Sequence, residues 1–159
     1  MKCSLAPLLA LLLFTRCAEE ELPAAGQGNL SRDVDIALNE TVALSEASES
    51  RSSENKVRVH LAEINDSRCP MNVNCIRYGS AVAQLWLEQD QEKSPTVALV
   101  IGEALPNDPR KLRNRTADTT LVTVANTRYQ VILKNVTPYP CAGCPNQETP
   151  RAQIVVTTK

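Results

Sequence analysis

Val57-Arg58-Val59-His60-Leu61 alternates apolar and polar side chains one for one. On an extended chain successive side chains point to opposite faces. Val57, Val59 and Leu61 therefore share one face, while Arg58 and His60 lie on the other, and Glu63 continues the polar positions. The stretch reads as a half-buried strand. A second run downstream, Ala81 to Leu87, is apolar on both faces and carries Trp86, as a central strand does.

The same reading extends in both directions from this pair. Upstream, Val34, Ile36 and Leu38 alternate, and so do Val42 and Leu44 beyond an Asn39-Glu40 turn. Downstream lie Thr96–Ile101 closed by Gly102, Leu121–Val124, Tyr129–Leu133 with Ile132 opposed to its neighbours, and Ile154–Thr157. Turn chemistry separates these runs, and none has a helical period. They predict an all-β fold, an antiparallel β-sandwich of immunoglobulin-like or related type with about seven or eight strands. Aromatics are only 3% of the 159 residues, so the core is expected from Val, Leu, Ile and Ala around Trp86, Tyr78, Tyr129 and Tyr139.

The chain divides into three parts. Met1-Lys2-Cys3 leads into an apolar run from Leu5 to Phe14, which ends at Thr15-Arg16-Cys17. A basic start and about ten apolar residues match a secretory signal over residues 1–16, too short to span a bilayer. Residues 17–31 begin with Ala18-Glu19-Glu20-Glu21 after the cysteine, then turn Pro-, Ala- and Gly-containing, and read as an acidic tether. Residues 32–159 form one β domain. Within it, the polar Ser45–Asn55 segment and the Pro-containing Leu105–Ala117 excursion read as loops, the latter long enough to suggest function.

Cysteine directly after such a leader resembles the lipobox of bacterial lipoproteins. The resemblance implies that the Cys17 thiol is diacylated and becomes the first mature residue, and two acyl chains suffice for stable anchoring. Arg16 stands where that motif prefers a small residue. The acidic triplet resembles the surface-export signal of Bacteroidetes lipoproteins. The expected location is the cell envelope, on an outer-membrane anchor, with simple secretion as the alternative. Five Asn-x-Ser/Thr sequons begin at Asn29, Asn39, Asn65, Asn114 and Asn135. They read as polar turns in a bacterial protein and as glycan acceptors in a eukaryotic one.

Cys69, Cys75, Cys141 and Cys144 remain after the leader and anchor. In an oxidising compartment four cysteines imply two disulfides, with three connectivities open and proximity favouring Cys69–Cys75 and Cys141–Cys144. Around the first pair, Asp66-Ser67-Arg68-Cys69-Pro70 is followed by four residues, Cys75, Ile76 and then Gly79. This resembles a motif of uncharacterised bacterial envelope lipoproteins, and the likeness runs from about Val57 to the C-terminus. It carries no assigned activity. Arg77 stands where that family commonly has Trp. Asp66, Ser67 and Pro70 suit a corner, and the short bridged loop contributes about 2–3 kcal/mol. Arg68 and Arg77 are the candidate exposed contacts there.

Cys141-Ala142-Gly143-Cys144 also fits a thiol–disulfide oxidoreductase, provided a helix follows to lower the first thiol's pKa. Pro145 and Pro150 leave too little chain for one. Four thiolates holding a metal is a third reading, with the first pair spaced wider than a zinc knuckle. His60 is the one histidine, and no nucleophile elbow or phosphate-cradling Gly loop accompanies it, so no catalytic residue, metal or cofactor is assigned. The 17 basic and 18 acidic residues form no basic stripe with interleaved aromatics, which argues against nucleic acid. The expected partners are membrane lipid through the N-terminal acyl chains, and another envelope protein or a surface ligand. The expected role is a non-catalytic interaction or accessory module.

Overall fold

A computed structural model describes residues 26–46, 56–108, 110 and 113–159. The expected leader over residues 1–16, Cys17 and the first part of the expected tether lie outside the described residues. Ten strands run in order: β1 Gln27–Asn29, β2 Asp33–Ala37, β3 Thr41–Ser45, β4 Val57–Asp66, β5 Ser80–Gln89, β6 Glu92–Lys93, β7 Val97–Gly102, β8 Asp118–Val124, β9 Thr127–Thr137 and β10 Arg151–Thr158. One sheet has the order β1-β3-β4-β5, with β6 and β7 both paired to β5; the other has the order β2-β10-β9-β8. All pairings are antiparallel except β1 on β3. The expected all-β sandwich is the architecture found.

The core lies between the sheets and follows the alternation. Leu44, Val57, Val59, Leu61, Ala83, Leu85, Leu87 and Leu99 face Ile36, Val131, Leu133, Val136, Ala152, Ile154 and Val156, all fully buried. Of the four aromatic residues expected inside, only Tyr129 is buried, its hydroxyl donating to Gln89 Oε1 at 2.9 Å. Tyr78 and Tyr139 are exposed, and Trp86 lies half-buried on the outer face of β5. Val, Leu, Ile and Ala with Tyr129 fill the space, and the pleat turns Trp86 outward because Leu85 and Leu87 face in.

Two further differences concern edges. Gln27–Asn29, read as tether, forms an edge strand, and Leu30 is buried, its N–H bonded to Ser45 O and that of Ser31 to Val156 O. The sandwich thus begins several residues before position 32. The two-residue β6 has no apolar pattern to announce it. Tight hairpins join β5 to β6 through Asp90-Gln91 and β8 to β9 through Ala125-Asn126, with both central residues at positive φ in each, the pattern of a type I′ turn.

Candidate functional site

Three long loops leave the same end of the sandwich: residues 67–79 between β4 and β5, 103–117 between β7 and β8, and 138–150 between β9 and β10. Both cysteine pairs lie there, and both are the local pairs, Cys69–Cys75 and Cys141–Cys144, with Cα atoms 5.9 and 5.6 Å apart.

The first corner is built from its own motif. Asp66 ends β4, and its carboxylate accepts from the Arg68 backbone N–H at 3.1 Å and from Arg68 Nε at 2.9 Å. Arg68 Nη2 donates to Asp66 and, at 2.7 Å, to the carbonyl of Val136 near the end of β9. The guanidinium also lies over the Tyr139 ring, 4.3 Å from its centroid. Arg68 is only 8% exposed. The expectation of an exposed contact at Arg68 is therefore corrected: an acid two residues upstream, a carbonyl and an aromatic face turn it inward. Ser67 Oγ donates to Ser80 O, closing the corner. Gly79 sits at φ +70°, and a Cβ there would lie 2.0 Å from Ser67 O. Only glycine fits that approach.

Arg77 is exposed and pairs with Glu103 Oε2 at 3.2 Å. The Glu103 carboxylate also accepts the Gly79 N–H at 3.1 Å, and this backbone bond, ahead of its bonds to Tyr78 and Arg77, holds its pKa below the usual carboxylate value.

The two disulfide loops bind each other. Met71 N–H donates to Pro140 O at 3.0 Å, and the Asn72 amide bonds both peptide groups of Ala142. Both loops expose apolar side chains among polar ones, Asn74, Arg77, Gln147 and Glu148 included. Met71, Val73, Ile76, Tyr78 and Tyr139 are exposed, Ile76 completely so. Among the described residues, Leu121 on β8 is the one other large apolar side chain so exposed. Residues 69–76 and 138–147 contain no charged side chain. Scattered exposed apolar residues are ordinary, whereas a contiguous group marks a contact site. The meeting of these loops cannot be read along the chain, because 70 residues separate Asn72 from Ala142.

The third loop is organised around Asp118, which is 2% exposed. Its carboxylate accepts from the Val100 N–H at 2.8 Å, from Arg110 at 3.0 Å and from Arg115 at 2.9 Å. A side chain from one sheet thus caps the edge strand of the other.

His60 is half-buried on the outer sheet face. Its ring stacks on Trp86 at 4.7 Å and its Nδ1 lies 2.9 Å from Thr41 Oγ1, while Lys93 Nζ lies 3.6 Å from the Trp86 ring centroid. Burial, and then the Lys93 charge, lower the His60 pKa below its ordinary 6.5. This row from four strands escapes a reading along the chain. Among the described residues no three His, Cys, Asp or Glu side chains gather as metal ligands, and no helix begins at Cys141 or Cys144.

Compared with known proteins, the chain matches no family model, no curated protein and no solved structure.

Proposed function

We propose that this chain is an exported, membrane-anchored lipoprotein of the bacterial cell envelope, whose β-sandwich is a non-catalytic interaction module. The grouping of Met71, Val73, Ile76, Tyr78 and Tyr139 on two mutually bonded disulfide loops carries the interaction part of this reading. Apolar and aromatic groups depleted of charge are what contact-surface cores contain. Bridged loops are also ordered before binding, so less entropy is lost on contact. The leader, Cys17 and the Glu19-Glu20-Glu21 triplet support the anchor, and the Asp66–Cys75 motif supports the envelope family.

Detergent phase partitioning of the native protein tests the anchor. The wild type is expected in the detergent-rich phase and the C17S variant in the aqueous phase. Wild-type protein in the aqueous phase with a free Cys17 thiol would overturn the reading.

A further inference from the structure

The apolar tip stands just beyond the ends of β4 and β9, and the chain enters the sandwich from that side. β1 runs parallel to β3 with Gln27 opposite Ala43, which puts Gly26 about level with Val42. Val42 is opposite Val59 of β4, and β4 climbs from there to Asp66 at the foot of the tip. Those seven residues of strand rise about 23 Å at ~3.3 Å each. From Cys17 to Gly26 there are nine residues, spanning at most about 30 Å. Fully extended, that segment brings an acylated Cys17 past the level of Asp66, to the base of the tip, on the side of the sandwich where the tip stands. The other end of the sandwich exposes Glu46, Lys56, Asp90, Glu92, Arg128 and Lys159, which suit water.

We infer that the disulfide tip is a membrane-contacting surface, which seats the domain on the same bilayer that holds its N-terminal anchor. This rests on the acylated Cys17 proposed above and adds a second lipid contact. Met71, Val73 and Ile76 enter the headgroup–acyl boundary. Tyr78 and Tyr139 place apolar rings there with hydroxyls in the wet layer, the position aromatic belts occupy. Entry is shallow, about 5–10 Å, because irregular backbone is excluded from the hydrocarbon centre. Within the tip, the Met71–Pro140 and Asn72–Ala142 bonds occupy polar groups that would otherwise need water. Arg77 is paired with Glu103, no lysine lies in either loop, and the exposed charge of the second loop is the acid Glu148, so the contact is with uncharged lipid surface rather than anionic headgroups. A protein partner would also accept these aliphatic and aromatic groups; the placement of the anchor on the same side favours the bilayer.

The test is the full-length native chain carrying I76W, reconstituted in phosphatidylcholine vesicles with brominated acyl chains. Ile76 is fully exposed, so the substitution leaves the packing intact. Trp86, the only native tryptophan, is the internal control, since it is level with His60, six residues of strand below Asp66. The emission added by I76W is expected to fall about twofold or more, while wild-type emission holds and high salt changes neither. Vesicle-bound I76W that stays unquenched overturns the inference while leaving the anchor standing. A photocrosslinker at position 76 that captures a protein, with bromolipid still without effect, reassigns the tip to a protein partner. Protein that lacks an acyl mass on Cys17 and fails to float with vesicles overturns the anchor itself, and this inference with it.

Discussion

The side-chain amide of Asn72 pairs with both peptide groups of Ala142, accepting from its N–H and donating to its C=O at 2.8 Å each. Ala142 lies between Cys141 and Cys144, and Asn72 between Cys69 and Cys75. One asparagine thus joins two separately bridged loops into a single surface.

N72A removes both bonds without touching either disulfide. Because both are exposed, the expected loss is only about 1 kcal/mol in urea unfolding. The sharper readout is amide hydrogen exchange at Ala142, expected to accelerate while core strands such as β5 keep their protection. Unchanged exchange there would mean that the loops hold together by other means.

R68K keeps the charge but loses the fork that reaches Asp66 and Val136 together. With Asp66 left half-buried beside an imperfect partner, the variant is expected to lose about 3 kcal/mol. R77A, at an exposed pair, is expected to lose less than about 1 kcal/mol. Equal losses from the two substitutions in denaturant unfolding would contradict the buried role given to Arg68.

The contrast between these arginines shows what was legible along the chain and what was not. Alternation at Val57, Val59 and Leu61 announces a strand because burial of one face depends only on local pattern. Gln27-Gly28-Asn29 announces nothing. Its place is secured by backbone pairing and by close packing, since a Cβ on Gly28 would meet Leu44 at 2.8 Å. The local cysteine pairs were legible from spacing. The inward turn of Arg68 was not, because Val136 and Tyr139 come from a strand end some 70 residues away; only Asp66, two residues upstream, hinted at it. Tyr78 and Tyr139 suggest core because aromatic residues are usually buried, yet the largely aliphatic interior leaves them no room.

Ala125 holds φ +46° in the β8–β9 turn, where a side chain beyond hydrogen is strained. A125N, with a residue that tolerates this conformation and suits the first position of a type I′ turn, is expected to stabilise by about 0.5–1 kcal/mol. Thermal unfolding measures it. A lower midpoint than wild type would argue against the turn as described.

His60 titrates below 6.5, because burial and then Lys93 disfavour its charged form. The unfolded chain takes up the proton first as pH falls, so the stability from neutral His60 is complete above the unfolded value and declines through the folded one. NMR titration is expected to show the lowered value in the wild type and a partial return toward 6.5 in K93A. H60Q is expected to flatten the acid limb of the stability profile. A wild-type value above 6.5 would contradict the stacked, half-buried setting.

Export underlies every role assigned to the sulfur atoms, and intact mass spectrometry of native, unreduced protein tests it most directly. The expected mass is that of residues 17–159 plus the acyl groups on Cys17, less two hydrogens for each of the two bridges. A mass retaining Met1 with all six cysteines as free thiols would contradict the account.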